Sequence, residues 1–224
     1  AIGSPSVDTT TADADLGFII ANNHDRPPVG SDLCIGPLFG GYVFIAKDNL
    51  LYFSLPKQPE YFPATNFIEI AEPQDPITAL TVHEGNLFVA TQRKLFLIQG
   101  TVSTSFAAVP IEVKTGTPNS FCLVGVVGTG LFHLGPDGIY LLSGGVDQKV
   151  TQLNFEPLFS ARVDATVNTF EGMLTVKDDD ARWFFVYENK FYFHYSTGAV
   201  LVFNTDQKKW TYYKFDQQLT APAF

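Results

Sequence analysis

The sequence predicts an all-β chain built from repeated antiparallel units. Three observations predict it: residue usage, the absence of helical periodicity, and a pattern that returns every 44 residues. Of 224 residues, 21 are Phe and 9 are Tyr, against a single Met and 17% charged residues. Aromatic and β-branched side chains suit a pleated, half-buried surface, whereas surface helices draw on Glu, Lys, Arg and Ala. No segment carries a clear 3.6-residue apolar period. Eighteen Gly and 14 Pro supply the turns that many short strands need.

The repeat is read most easily from its central hairpin. Val43-Phe44-Ile45-Ala46, Leu87-Phe88-Val89-Ala90 and Leu131-Phe132-His133-Leu134 lie 44 residues apart, and Tyr192-Phe193-His194-Tyr195 follows after 61. Each block carries a Phe at the same place: Phe44, Phe88, Phe132 and Phe193. Seven residues after each Phe begins a partner strand: Leu51-Tyr52-Phe53, Leu95-Phe96-Leu97, Ile139-Tyr140-Leu141 and Val200-Leu201-Val202. Four turn-like residues separate the two strands in every copy, as in Lys47-Asp48-Asn49-Leu50.

A further strand precedes each hairpin, at 34–39, 77–82, 121–127 and 183–187, and an outer one follows, at 60–70, 106–113, 149–153 and 210–215. Four antiparallel strands per unit at such a period is the pattern of β-propeller blades. Because the central strands are apolar on both faces, each unit needs a neighbour on either side. Burying one aromatic ring contributes roughly 2–3 kcal/mol, so radial stacking is the natural outlet. A β-sandwich would need no internal period.

The blades are expected at about 33–72, 77–114, 121–153 and 181–215, in a propeller domain spanning 31–224. Segment 1–30 precedes it as a candidate closing strand. Gly17-Phe18-Ile19-Ile20 and Leu219-Thr220-Ala221-Pro222-Ala223-Phe224 are candidates for a fifth blade shared by the two ends. Between the third and fourth copies, Phe155 to Phe159 reads as a loop packed over one face. Asp178-Asp179-Asp180 reads as a turn, without the glycine and alternating oxygens of a calcium loop.

A formal charge of −9 argues against broad binding to nucleic acid or anionic membrane. Lys208, Lys209 and Lys214 are read as a solvated strand and turn. Cys34 and Cys122 stand in apolar runs and are read as small buried residues, fitting a reducing cytoplasm. No apolar stretch approaches the roughly 20 residues of a membrane span. The start, Ala1-Ile2-Gly3, lacks Met and a signal-like pattern, and reads as a fragment or a processed product.

Candidate chemistry is sparse. Among His24, His83, His133 and His194, the last two hold equivalent repeat positions. Such side chains meeting across a blade seam would make a metal pair, against the plainer reading of structural histidines bonded to backbone. Asp32, Asp75, Asp180 and Glu188 are the carboxylates near inner-strand ends where a glycosidase propeller would place its acid and base, but they do not share a repeat position. No nucleophile elbow or phosphate-binding glycine loop is present; the glycine-rich 125–130 stretch runs from strand to strand. No catalytic residue, metal ligand or cofactor site is assigned.

The stretches Leu51-Tyr52-Phe53-Ser54-Leu55-Pro56 through Pro63, Gly85 to Thr91, and Gly135-Pro136-Asp137-Gly138-Ile139-Tyr140 resemble the propeller-like parts of tail proteins of tailed bacteriophages and prophages, of the hub or nozzle kind. The resemblance implies an architectural protein of the virion tail, assembled in the host cytoplasm, without catalysis. Its partners would be other tail proteins and copies of itself in a ring. It implies no specific nucleic-acid binding. The rival reading is a carbohydrate-binding propeller with Tyr61, Tyr195 or Trp210 as stacking platforms; a glycoside hydrolase would rest on the scattered carboxylates.

Overall fold

The computed structural model describes residues 25–31, 33–151, 155–159, 182–195 and 199–215. Its strands run in chain order into four antiparallel meanders. Sheet 1 holds β1 (Leu33–Leu38), β2 (Tyr42–Lys47), β3 (Leu50–Phe53) and β4 (Phe67–Glu69). Sheet 2 holds β5 (Ile77–His83), β6 (Asn86–Thr91), β7 (Leu95–Gln99) and β8 (Ala107–Ile111). Sheet 3 holds β9 (Leu123–Val126), β10 (Gly130–Gly135), β11 (Gly138–Ser143) and β12 (Val146–Lys149). Sheet 4 holds β13 (Trp183–Tyr187), β14 (Lys190–Tyr195), β15 (Ala199–Asn204) and β16 (Lys209–Lys214). The one α-helical turn among the described residues is α1 (Glu156–Phe159), and none of their helices is long and apolar enough to cross a membrane.

The sheets stack in order. Their first strands lie side by side, β1 against β5, β5 against β9 and β9 against β13, which is how the inner strands of successive propeller blades meet. Each sheet therefore has a trailing face, toward the sheet before it, and a leading face, toward the sheet after it.

Three apolar seams hold the stack, because alternation along each strand sends neighbouring residues to opposite faces. Phe44 and Leu51 of sheet 1 meet Leu87, Val89 and Ile98 of sheet 2. Phe106 wedges into this seam, its ring centroid within 5.3 Å of those of Tyr42, Phe44 and Phe53. Ala90 and Leu95 meet Leu123, Leu131 and Leu142 in the second seam. Here β5 and β9 approach so closely that a Cβ on Gly125 would lie 2.5 Å from His83 Nδ1. In the third seam Phe132 stacks on Phe191 at 4.2 Å, and Leu158 and Phe159 of α1 join the same cluster.

Three local expectations are corrected. Two hairpin turns are tighter than four residues: Lys47 pairs with Leu50 and Gly135 with Gly138, leaving Asp48-Asn49 and Pro136-Asp137 as two-residue loops, while Ala90 pairs with Leu95 and leaves the expected Thr91-Gln92-Arg93-Lys94 between them. Asp48 takes a left-handed φ of 52°, a conformation that Asp tolerates better than most residues. The third outer strand starts at Val146 rather than Lys149, because Gly144 and Gly145, both with positive φ, reverse the chain at once. Ser120–Cys122 form a short 3-10 turn, started by the Asn119 side chain accepting from the Phe121 N–H, so the third inner strand begins only at Leu123.

The fourth copy is out of step by one. Leu134 pairs with Ile139 and His194 with Val200, so β14 follows β10 at 60 residues while β15 follows β11 at 61. Phe44, Phe88 and Phe132 belong to the leading faces of their sheets, whereas Phe193 lies on a trailing face, in the seam toward sheet 3. The extra residue falls in the 196–198 stretch, outside the described residues, as do both parts of the expected fifth blade and Asp178-Asp179-Asp180.

Candidate functional site

The carboxylates singled out from the sequence do not form an acid–base pair in the described residues. Asp75 is buried and accepts a hydrogen bond from Thr91 Oγ1 at 2.8 Å. The same hydroxyl oxygen accepts from the backbone N–H groups of Arg93 and Lys94, so Asp75 closes the β6–β7 turn. Glu188 stands in the β13–β14 turn, on a left-handed φ of 47°. Asp32 and Asp180 lie outside the described residues, and so does His24.

His133 and His194 do not share a seam, because of the one-residue slip. His133 is fully buried on the trailing side of sheet 3. Its Nε2 is 2.9 Å from Asp147 Oδ1, its Nδ1 is 3.3 Å from the Gly116 carbonyl oxygen, and its ring stacks on Tyr140 at 5.4 Å. Asp147 also accepts from the backbone N–H of Lys114 at 3.0 Å. Burial pushes the Asp147 carboxyl up, but the hydrogen bonds from His133 and Lys114 outweigh it and hold the group below the ordinary carboxylate range. Gly116 and Lys114 belong to the connection from sheet 2 to sheet 3, so the pair ties that connection to β10 and β12. His194 lies on the leading face of sheet 4, stacked at 4.7 Å on Trp183. Among the described residues no group of three or more His, Cys, Asp or Glu is placed to hold a metal ion.

One of the three proposed sugar platforms, Tyr195, is closed to a ligand, while Trp210 is half-buried and engaged with its neighbours. Tyr195 has no exposed surface and stacks on Phe193 at 5.2 Å. Trp210 packs against Phe203 at 4.9 Å and donates its indole N–H to the Val150 carbonyl. Tyr61 is half-buried. Lys209 and Lys214 stand at opposite ends of β16, with Lys208 in the preceding turn, and so make no single cationic patch.

The cysteines part company. Cys122 is buried in the third seam, its thiol raised to about 12 by burial, with its Sγ 3.3 Å from the Arg182 carbonyl oxygen. Cys34 is exposed, contrary to its apolar sequence surroundings. It pairs with Ile45 and thus sits on the trailing face of sheet 1, which no earlier sheet covers among the described residues.

What remains as a candidate site is a sheet face. On the leading side of sheet 4 the ladder rows read Trp183, His194, Val200, Tyr213 and then Phe185, Tyr192, Val202, Thr211. All of these but His194, together with Phe215, line a groove of about 460 Å³. Tyr213 is 49% and Phe215 46% exposed, and the Phe185 and Tyr192 rings stack at 4.3 Å. Sequence reading missed this face. Its signal was the alternation Trp183, Phe185, Tyr187 along one side of β13.

No protein-family profile and no curated protein matches the chain. Among solved structures, it is similar to PorZ, described as an essential bacterial surface component of the type-IX secretion system of Porphyromonas gingivalis. The likeness has 13% identity and a TM-score of 0.45, covering 83% of this chain and 21% of that one. The chain thus spans about a fifth of PorZ.

Proposed function

We propose that this chain is an architectural part of a bacteriophage tail, of the hub or nozzle kind, which works through the faces of its stacked sheets and without catalysis. One observation supports the architectural half: the side chains best equipped for chemistry are spent on the fold. His133 and Asp147 bond each other, Asp75 closes a turn, and Cys122 is sealed in a seam. The groove on sheet 4 is lined mainly by aromatic and aliphatic side chains, which suits contact with protein. The tail half rests on the resemblance carried by residues 51–63, 85–91 and 135–140. On this reading the protein resides in the virion tail, and its partners are other tail proteins and copies of itself.

The test is to localise the protein in particles released by the producing cells. Antibody raised against the chain, followed by gold labelling in the electron microscope, should mark tails and leave heads unlabelled. Purified particles that lack the chain by mass spectrometry would refute the tail assignment.

A further inference from the structure

The three seams differ at the end where the first strand of each sheet turns into the second. There the first seam is plugged by a ring. Phe106 has its centroid 5.7 Å from that of Phe39, 5.0 Å from Tyr42, 5.3 Å from Phe44 and 5.1 Å from Phe53. It is delivered by the 100–106 connection between β7 and β8, which the Ser103 N–H fastens to Tyr42 Oη at 3.2 Å. In the third seam Phe132 is fully buried against Phe191 and Phe203. Among the described residues the second seam has no such plug. The cradle is repeated there, since His83, Asn86, Phe88 and Leu97 follow Phe39, Tyr42, Phe44 and Phe53 at the 44-residue period. The connection that would carry the plug, between β11 and β12, is only the tight Gly144-Gly145 turn. The space stays open as a cleft of about 420 Å³. Phe88 and Leu97 are half-buried, whereas their counterparts Phe44 and Phe53 are 0% and 4% exposed. A Cβ added to Gly128, Gly144 or Gly145, which also line the cleft, would meet nothing within 4 Å.

We propose that this cleft binds an aromatic side chain presented by a partner polypeptide, which enters between sheets 2 and 3 as Phe106 enters between sheets 1 and 2. The repeat argues the occupant, because the same cradle one period earlier is closed by a phenyl ring. The walls agree. Phe88 and Leu97 on one side and Leu131 and Leu142 on the other offer side chains of carbon alone. A sugar between them would lose water from its hydroxyls without regaining the hydrogen bonds. A ring suffers no such loss and gains contact with Phe88. The polar lining comes from in and beside the turns: the Thr129 and Ser143 hydroxyls, and His83 with its Nε2 3.8 Å from Glu84 Oε1. These groups suit the peptide that carries the ring. Aromatic anchors seated in such pockets dominate the energy of many protein interfaces. The inference rests on the seams and is independent of the tail assignment.

The experiment is a titration of the whole chain with the N-acetyl amides of phenylalanine, tyrosine and tryptophan, followed by amide chemical shifts. The Gly128, Thr129, Gly130, Gly144 and Gly145 amides should shift and saturate, with a dissociation constant on the order of millimolar for so small a ligand. N-acetylglycinamide and the methyl glycosides of glucose, galactose and mannose should leave them in place. An acetylated, amidated glycine–tryptophan–glycine peptide should bind at least as tightly as the single-residue amide. Leu97→Trp and Ser143→Trp each add an indole to the lining, and circular dichroism checks that they fold. Either folded variant should lose the saturable shifts.

A wild-type chain without saturable shifts at these amides would overturn the proposal before any variant is made. So would shifts confined to the groove on sheet 4, or ring binding undiminished in a folded plugged variant. A peptide that binds more weakly than free indole would mark a site for small aromatic molecules instead, and a response to the glycosides alone would favour the sugar-binding reading. Ring binding by a chain absent from particles would sink only the tail assignment. Labelled tails with a chain whose cleft ignores aromatic amides would sink only this site.

Discussion

Replacing Phe132 by alanine should lower the free energy of unfolding by about 3–5 kcal/mol, the usual cost of removing a buried aromatic ring. Phe132 has no exposed surface. Its ring is stacked at 4.2 Å and 12° on Phe191 of the next sheet and sits edge-on to Phe203 at 6.0 Å. The substitution forfeits the transfer energy of the ring and leaves a hole between two sheets that each hold their own ladder, so the walls cannot easily collapse. Against a typical stability of about 5–15 kcal/mol this is a large fraction, and urea unfolding should show a much lower midpoint. Val127→Ala is the control: Val127 is 86% exposed, and its removal should change stability by no more than about 0.5 kcal/mol.

The second large effect is expected at Asp147. Its side chain is only 4% exposed and that of His133 is fully buried, so removing the carboxylate strands a buried partner. Asp147→Asn keeps the shape but presents an amide N–H₂ to one of two donors, His133 or the Lys114 N–H. A cost of about 3–5 kcal/mol at neutral pH is expected from breaking a buried pair.

The pH dependence has a definite sign. Because the folded protein holds the Asp147 carboxyl below its ordinary range, its contribution is fully present above the unfolded carboxylate pKa of about 4. It is lost as pH falls through the lower folded value. The Asp147 share of the stability gap between wild type and Asp147→Asn should therefore shrink below about pH 4. Asp137, held low in the same direction, is retained in both proteins and cancels in the difference. Parallel stability curves down to about pH 3, below the ordinary carboxylate range, would assign the acid sensitivity elsewhere.

Much of the architecture was legible because the physics that sets it is local. Two-residue alternation and turn chemistry locate strands, and a seam that must be apolar on both sides repeats its residues at the period of the blade. The 44-residue spacing from Phe44 to Phe88 to Phe132 is therefore also the spacing of the folded units. The fourth copy misled for a physical reason. Phe191-Tyr192-Phe193 offers a ring at every position, so a one-residue slip costs nothing in pattern, while the strand pairing makes Tyr192 the counterpart of Phe132.

The site was less legible. The partner of His133 lies 14 residues away, across two turns and one intervening strand, and no short spacing announces it. Cys34 has apolar neighbours in the chain, but its exposure depends on which sheet, if any, comes before it. The groove on sheet 4 is likewise a property of stacking order and cannot be read from one strand.

The central claim is that successive sheets face each other as stacked blades, and a double-mutant cycle across the third seam tests it most directly. Phe132 and Phe191 belong to different sheets and meet only if sheet 4 covers sheet 3. Unfolding would be measured for the wild type, Phe132→Ala, Phe191→Ala and the double variant. Stacked rings predict a coupling energy of about 0.5–1.5 kcal/mol, with the double variant less damaged than the two single losses combined. Strict additivity, with each ring costing the same whether or not the other is present, would mean that the two sheets do not meet at that seam.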